Sequence, residues 1–223
     1  MMEPIQITTV STVDAVKNAL EADILSLYFP PGLKLTESDL ALRYNVSRNT
    51  VREAIAHLLA QGLLTKIANK GVYVRRFTTE DVQEIFQLRA LLELEAVSQI
   101  FAGNHTTTHL YSLVENLEQL NRQTGWDDYV KADIQFHNTL VAAAGSSRLS
   151  RLYETILTEV KLCIYQTRNY VQIPNSTQSS HREILDAING NDKDAARKLL
   201  KEHIEHVIKR YCGGLLAMDN GNL

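Results

Sequence analysis

Four residues in the second half of the chain have side chains and spacings suited to binding a divalent metal ion. Asp133 and His137 lie four positions apart, so in a helix they share one face and lie one turn from each other. His181 and His203 lie on either side of a short turn at residues 189–191. If the flanking segments form an antiparallel pair of helices, positions 181 and 203 can lie level with each other. The spacing therefore allows three imidazoles and one carboxylate to converge, a donor set that suits transition metals.

The residues alone leave a second interpretation open. Histidines scattered over helices are more often surface groups or hydrogen-bonded core residues than metal ligands. His206 competes with His203 for the last ligand position, but it lies one turn further on and is assigned to the surface. His105 and His109 fall in or beside a predicted loop, where we expect them to be solvated.

A second chemically distinct group is a local concentration of positive charge. The 223-residue chain has 23 basic and 26 acidic side chains, and the resulting net charge of −3 argues against nucleic-acid binding. However, residues 1–76 contain 9 basic and 7 acidic side chains, whereas residues 77–223 contain 14 and 19. Between residues 43 and 76 there are seven basic side chains and one acid, Glu53. This excess of cations favours contact with nucleic-acid phosphates.

The pattern around these cations predicts a helix-turn-helix. Residues 36–43 form a short helix capped by Thr36, residues 44–46 form a turn, and Ser47 caps a second helix. The apolar face of the second helix consists of Val51, Ile55, Leu58 and Leu59. A recognition helix enters the major groove by its N-terminal end, and that end carries the candidate DNA contacts Arg48, Asn49, Thr50 and Arg52.

A small β-hairpin is predicted over residues 62–76, where two short apolar or β-branched runs flank an Asn-Lys-Gly turn. Its tip carries Lys70 and Gly71, which supply a positive charge and a residue that lets the backbone approach phosphates. A solvated amphipathic helix with two arginines is the simpler interpretation of the helix-turn-helix pattern alone. The hairpin favours a winged-helix DNA-binding domain instead.

Beyond residue 76 the sequence predicts helices, because ten glycines and four prolines, three of them in the first 31 residues, leave few breaks downstream. Six helices are expected at residues 79–102, 107–123, 126–144, 147–171, 177–190 and 192–212. The predicted fold class is mainly α, with two domains. Residues 1–76 form a winged helix-turn-helix with a small β-hairpin wing, and residues 77–223 form an all-α six-helix bundle.

The sequence also bounds the cellular setting. No stretch of about 18 apolar residues occurs, and the N-terminus has no basic region followed by an apolar one. The two cysteines are too few for a disulfide framework. We therefore expect a cytoplasmic protein with no membrane partner.

Three motifs in the basic region match a known family. They are Pro31-Gly32, Ser47-Arg48 with Val51-Arg52-Glu53-Ala54, and Gly62-Leu63-Leu64 with Gly71-Val72-Tyr73-Val74. With them, residues 22–76 resemble the winged helix of the GntR family of bacterial transcriptional regulators. The resemblance implies operator contacts from Arg48 and Arg52, with Ser47 at the start of the same helix, and a wing contact from Lys70 and Gly71. Members often carry an arginine where this chain has Ser38, and we expect Arg43 to replace part of that contact.

Two further motifs lie in the acidic half. DIQFHNTLVAAAG at residues 133–145 and SHREILDAINGNDKDAARKLLKEHI at residues 180–204 resemble the FCD effector domain of the FadR branch of that family, in its six-helix, VanR-like subgroup. The resemblance implies that a divalent transition metal is bound by Asp133, His137, His181 and His203. Zinc is the favoured ion, with nickel, cobalt or manganese as alternatives. Ser146 departs from the pattern, since many members have Asn there.

The resemblance also implies a small carboxylate as effector. Three histidines and one aspartate leave positions open on a six-coordinate ion, where an organic acid can bind. Arg89 occupies the place of an arginine that the family uses in its pocket, and Tyr165 and Arg168 are further candidates. A buried ion pair with Glu93, four residues on, is the alternative role for Arg89.

Together these patterns predict a homodimeric transcriptional regulator, not an enzyme, that binds a palindromic operator in double-stranded DNA and responds to a carboxylate effector. Two-fold symmetry supplies more contacts than one small wing domain offers. Two alternatives stay open: a regulator that binds an acyl thioester without metal, and a metal-dependent hydrolase or lyase with a DNA-binding appendage. The complete Asp and His set argues against the first, and the lack of a recognisable general base argues against the second.

Overall fold

The computed structural model describes residues 11–103, 106–120, 125–171 and 177–220. Within these ranges the chain divides into two compact units, with the division between Arg76 and Phe77. We call them the N-unit and the C-unit and describe each by itself.

The N-unit contains three helices and three short strands. The helices are α1 (Thr12–Leu25), α2 (Glu37–Tyr44) and α3 (Arg48–Ala60), and the strands are β1 (Lys34–Leu35), β2 (Leu64–Ile67) and β3 (Gly71–Val74). Each helix starts at a hydroxyl residue whose side chain accepts a hydrogen bond from a backbone N–H three residues on; these caps are Ser11, Thr36 and Ser47. The two caps of the predicted helix-turn-helix are therefore present.

The wing is a three-stranded antiparallel sheet rather than a hairpin alone. Its strand order is β1-β3-β2, and Lys34 lies opposite Tyr73 on one edge while Thr65 lies opposite the same tyrosine on the other. The sequence did not predict β1, because two residues are too few to show the alternation that identifies a strand.

Helix α3 packs its apolar face against α1 and α2. Val51, Ile55 and Leu58 are buried as predicted, whereas Leu59 is only partly buried and Ala54 is buried in its place. The predicted stripe was thus shifted slightly around the helix. The cause is α1, a helix that the sequence analysis did not place against this face.

The C-unit consists of six α-helices and one 3₁₀ turn in the described part of the chain, which confirms the predicted fold class. The turn spans Thr108–Leu110. The helices are α4 (Thr79–Gly103), α5 (Tyr111–Gln119), α6 (Trp126–Ala142), α7 (Ser147–Gln166), α8 (Thr177–Asn189) and α9 (Lys193–Asn220).

Three predicted helix boundaries were wrong. The helix expected over 107–123 is shortened to α5, since the 3₁₀ turn occupies its start, and the one expected over 147–171 ends at Gln166. The last helix does not stop at residue 212 but continues through Gly213 and Gly214 to Asn220. A Cβ at position 214 would lie 2.5 Å from Val171 Cγ2, so glycine here permits close packing rather than ending the helix.

Among the described residues, no helix has both the length and the apolar composition needed to cross a bilayer.

Candidate metal centre and DNA-binding surface

The C-unit brings the four predicted metal ligands together. Asp133 and His137 lie one turn apart on α6, His181 lies on α8 and His203 on α9. One donor atom from each of them lies within 4.8 Å of the donors of the other three. The three histidines are buried and Asp133 is partly exposed. We call these four residues the His-Asp cluster.

Two of the imidazoles and the carboxylate point their polar atoms at one another. His181 Nε2 lies 3.1 Å from Asp133 Oδ1 and 3.1 Å from His137 Nε2. His137 Nε2 lies 4.0 Å from Asp133 Oδ1. Two imidazole nitrogens at hydrogen-bond distance need a shared proton, or a metal ion that both can bind as neutral ligands.

The third imidazole leaves a nitrogen without a partner. His203 Nδ1 lies 2.9 Å from Ser180 Oγ, while its buried Nε2 has no hydrogen-bond partner among the described residues. Its ring centroid is 4.6 Å from that of His181 and 5.1 Å from that of His137. An unpaired buried nitrogen is costly in a folded protein, and a metal ion held by the cluster would satisfy it. The residues present therefore fit a divalent metal.

A buried glutamate lies directly behind the cluster. Glu93 on α4 accepts hydrogen bonds from Arg89 Nε at 2.7 Å and from Tyr153 Oη at 2.7 Å, and it lies 2.8 Å from His137 Nδ1. The sequence analysis gave the Arg89 pair, a local i, i+4 contact, as the alternative role of that arginine. It did not predict the contacts with His137 and Tyr153, which lie 44 and 60 residues away along the chain.

The electrostatics of the site favour the protonation states that bind metal. Burial raises the pKa of Glu93, but the adjacent His137 and Arg89 outweigh burial and lower this pKa to about 2. Burial likewise opposes ionisation of Asp133, yet the hydrogen bond from His181 and the nearby imidazole and guanidinium groups hold its pKa well below the usual range. Both carboxylates are therefore ionised at neutral pH.

The pKa values of two imidazoles are lowered as well, and for a histidine a lower pKa favours the neutral form. Burial, together with the Arg89 charge, lowers the pKa of His137 despite the opposing effect of Glu93. Burial and the two neighbouring imidazoles lower the pKa of His203 well below its ordinary value. Neutral imidazole is the form that ligates a metal, so the cluster needs no deprotonation at these two histidines before binding.

The predicted effector residues do not form one group. Arg89 is 2% exposed and is held by Glu93, with Nη2 4.0 Å from Asp133 Oδ2. Its buried ion pair, the alternative in the sequence analysis, is therefore present, beside the cluster. Effector binding by Tyr165 and Arg168 stays a prediction.

Tyr165 lies in the last turn of α7 and Arg168 just after it, and both interact with the start of α6. Arg168 Nη1 is 3.7 Å from Asp127 Oδ1, and burial followed by the Asp127 charge raises the pKa of Tyr165. Asp127 precedes Asp133 by six residues, or about 9 Å along a helix. Arg168 and Tyr165 therefore interact with an acid that lies outside the His-Asp cluster.

Two further described histidines of the C-unit, His206 and His109, lie outside the cluster. His206 is exposed, and its Nδ1 lies 2.7 Å from the carbonyl oxygen of Glu202. His109 is exposed in the 3₁₀ turn. His105, which was expected to be solvated, lies outside the described residues.

In the N-unit, the predicted DNA contacts lie at the exposed N-terminal end of α3. Ser47, Arg48, Asn49 and Arg52 are exposed and Thr50 is partly buried. Ser47 Oγ accepts from the Thr50 backbone N–H and lies 2.9 Å from its Oγ1, so these two hydroxyls stabilise the helix start. Arg52 forms a bidentate ion pair with Glu37 of α2, in which Nε lies 2.8 Å from Oε1 and Nη2 lies 2.7 Å from Oε2. Its Nη1 donates to Asn49 Oδ1.

Arg43 has a different environment from the other cations. Its guanidinium donates to Asp23 Oδ2 of α1 at 2.9 Å and to Tyr28 Oη at 2.8 Å, and it lies 3.9 Å from the centre of the Tyr28 ring. Tyr44 Oη donates to the same carboxylate oxygen. These contacts connect α2 to α1, and the DNA contact expected of Arg43 from the sequence stays a prediction.

The wing tip has the geometry that its residues suggested. Asn69 has a φ of 61° and Gly71 a φ of 114°, so the chain turns in a conformation that favours small or amide residues. The Lys70 backbone N–H donates to the Ile67 carbonyl oxygen at 3.0 Å, while the Lys70 side chain is exposed. The tip therefore presents the exposed Lys70 side chain on a backbone that is fixed by the turn.

Comparisons with known proteins agree with both halves of the chain. The model of the bacterial regulatory proteins of the gntR family matches residues 12–74, and the FCD domain model matches residues 84–206. The HTH-type transcriptional repressor RspR of Escherichia coli K12 is 28% identical over 191 residues, which cover 84% of this chain and 83% of that protein.

Solved structures show the same architecture. A GntR transcriptional regulator from Rhodococcus sp. RHA1 superposes with a TM-score of 0.78 at 27% identity, over 92% of this chain and 99% of the other. The metal-free FCD domain of another regulator, at 19% identity, has a TM-score of 0.55 and covers 64% of this chain and 99% of its own. The matched domains and relatives are those of transcriptional regulators, not enzymes. The chain belongs to the GntR family of bacterial transcriptional regulators and carries an FCD domain.

Proposed function

We propose that this regulator binds a divalent transition metal at the His-Asp cluster and that a small carboxylate effector binding there changes its affinity for DNA. The observation that carries the proposal is His203 Nε2, a buried nitrogen without a hydrogen-bond partner in the described structure, next to three other ligand groups. Zinc is the favoured ion, and nickel, cobalt or manganese suits the same donors.

The charges around the cluster support an anionic effector. The buried or partly buried ions are one guanidinium, Arg89, and two carboxylates, Glu93 and Asp133. With neutral imidazoles, this set has one net negative charge, which favours a cation. A bound divalent ion would reverse the net charge to positive and supply an electrophilic centre that attracts a carboxylate. An acyl thioester without metal would leave both His203 Nε2 and the negative charge unsatisfied.

For DNA we propose that Ser47, Arg48, Asn49, Thr50 and Arg52 contact the operator from the start of α3 and that Lys70 and Gly71 contact it from the wing. The ion pair between Arg52 and Glu37 does not oppose this role, because exposed pairs are weak and a phosphate or guanine can replace the carboxylate. A homodimer on a palindromic site would place two such surfaces on successive turns of DNA. DNA binding by a bacterial regulator also places the protein in the cytoplasm, and the name of the E. coli relative favours repression.

The metal site can be tested with two matched variants on one helix. His203→Ala removes a cluster ligand, whereas His206→Ala removes an exposed histidine three residues on. After loading with zinc and desalting, we expect about one equivalent per chain in the wild type and in His206→Ala, and far less in His203→Ala. Retention of a full equivalent by folded His203→Ala would contradict the site. Thermal-shift measurements with a panel of small organic acids, with and without zinc, then test the effector.

A further inference from the structure

Glu93 is a buried carboxylate of the C-unit with three polar side-chain partners. It is fully buried on α4, and the three groups that contact it come from α4 itself, α6 and α7. The two carboxylate oxygens contact different groups. Oε1 accepts from Arg89 Nε and from Tyr153 Oη, whereas Oε2 lies 2.8 Å from His137 Nδ1.

This arrangement determines which nitrogen of His137 carries the proton. An ionised carboxylate can only accept hydrogen bonds, so Nδ1 must be the donor in the contact with Glu93. In a neutral imidazole the other nitrogen then has a lone pair and no proton. That nitrogen is Nε2, which faces His181 and Asp133 in the cluster.

We propose that Glu93 is a positioning residue that fixes His137 in its Nδ1–H tautomer and thereby directs the Nε2 lone pair at the metal. This inference rests on the metal site proposed above. It adds to that site a residue that binds no metal itself, and it explains why a glutamate is buried at this position.

The tautomer of His203 is not constrained in this way. His203 Nδ1 lies beside the Ser180 hydroxyl, which can donate or accept. Ser180 therefore orients the ring without selecting a tautomer. The contact of His137 with Glu93, in contrast, uses a group that must accept at Nδ1.

Glu93→Gln separates the tautomer from the shape of the side chain. The amide oxygen can face either Arg89 and Tyr153 or His137. Arg89 is a donor only, so the oxygen is required on its side, and the amide NH₂ is then directed at His137 Nδ1. Nδ1 must accept that bond, which moves the imidazole proton to Nε2, inside the cluster. A metal ion must displace this proton before it binds.

The experiment measures zinc affinity and the His137 tautomer in the same proteins. We expect Glu93→Gln to bind zinc about 10- to 100-fold more weakly in a chelator competition assay, the range found when such outer partners are removed. The ¹⁵N shifts of the His137 ring in metal-free protein should show the proton on Nδ1 in the wild type and on Nε2 in the variant. A loss of packing alone would not move the proton between the two nitrogens.

Glu118→Gln is the matched control. Glu118 forms a two-pronged ion pair with Arg182 in the same unit, with both distances 2.6 Å, but it contacts no cluster histidine in the described structure. The Glu118→Gln substitution should leave the zinc affinity at the wild-type value. Equal weakening by both glutamine variants would overturn the proposal in favour of a general effect of losing a carboxylate.

A double variant keeps the test valid if Glu93→Gln does not fold. In Arg89→Met with Glu93→Gln, the obligatory donor is gone, and the Tyr153 hydroxyl can accept from the amide NH₂. The amide oxygen is then free to face His137, so the Nδ1–H tautomer and most of the zinc affinity should return. If the double variant carries its His137 proton on Nε2, or if Glu93→Gln keeps the Nδ1 proton, Glu93 does not set the tautomer. Failure of His203→Ala to lose zinc would instead refute the metal site itself.

Discussion

The N-unit and the C-unit use ionic groups in opposite environments. Around the His-Asp cluster, Arg89 and Glu93 are buried, and their charges and hydrogen bonds are satisfied by one another and by Tyr153 and His137. At the start of α3, the corresponding pair of Arg52 and Glu37 is exposed. Burial makes a polar group dependent on its fixed partners, whereas exposure lets the same kind of group exchange one partner for another. The first environment suits a binding site of fixed geometry, and the second suits a surface that meets DNA.

The strongest test of this contrast compares a buried arginine with an exposed one. Arg89→Met leaves the Glu93 carboxylate buried without its cation, and we expect the free energy of unfolding of the C-unit to fall by about 3–5 kcal/mol. Arg182→Met removes an ion pair with a more exposed partner, Glu118, and should change it little. Trp126 is the only tryptophan and lies in the C-unit, so its fluorescence in a urea titration reports that unit. Similar losses in both variants would remove the distinction.

A second test uses two neighbouring glycines in α9. Gly214→Ala places a Cβ 2.5 Å from Val171 Cγ2 and 3.1 Å from Thr167 Cβ, so we expect a loss of about 1–3 kcal/mol from overpacking. A Cβ at Gly213 meets nothing within 4 Å, and Gly213→Ala should stabilise the helix by up to about 1 kcal/mol. Trp126 fluorescence again measures both. Stabilisation by both substitutions would show that α9 does not pack tightly at position 214.

The third test compares two arginines of the N-unit. Arg52→Ala should weaken operator binding about 5- to 150-fold if its guanidinium leaves Glu37 to contact a base edge. Arg43→Gln should have a much smaller effect, because Asp23 and Tyr28 already hold that guanidinium. Fluorescence anisotropy with a labelled operator, at a fixed salt concentration, measures both affinities. A larger loss of operator affinity in Arg43→Gln than in Arg52→Ala would show that Arg43, and not Arg52, makes the important DNA contact.

Local patterns in the sequence predicted much of this protein. The caps at Thr36 and Ser47, the start of α3 and the strands on either side of the wing tip depend on residues within a few positions of one another, and all of them are present. The pair of Asp133 and His137 was recognisable for the same reason, since a helix fixes its own i, i+4 neighbours. The same i, i+4 spacing gave the ion pair of Arg89 with Glu93 as an alternative role for that arginine.

The errors arose where distant parts of the chain meet. Strand β1 exists because two residues pair with β3, nearly forty residues later, and the end of α9 depends on Val171. The contact of Arg168 with Asp127 of α6 is likewise long-range. No local pattern contains these contacts.

The sequence by itself determined the two helices of the helix-turn-helix, the six helices of the C-unit and which of their faces carry charged or ligating groups, because periodicity and capping act over one or two turns. The tertiary structure alone decided that Glu93 lies behind His137, that His203 Nε2 has no partner in the described structure, and that Arg43 is held by Asp23. The contact of Arg43 with Asp23 joins residues 20 positions apart, and that of Glu93 with His137 joins residues 44 positions apart. Their geometry depends on how separate helices pack. Helix packing is set by the fit of whole apolar faces, which the pattern of a single helix does not specify.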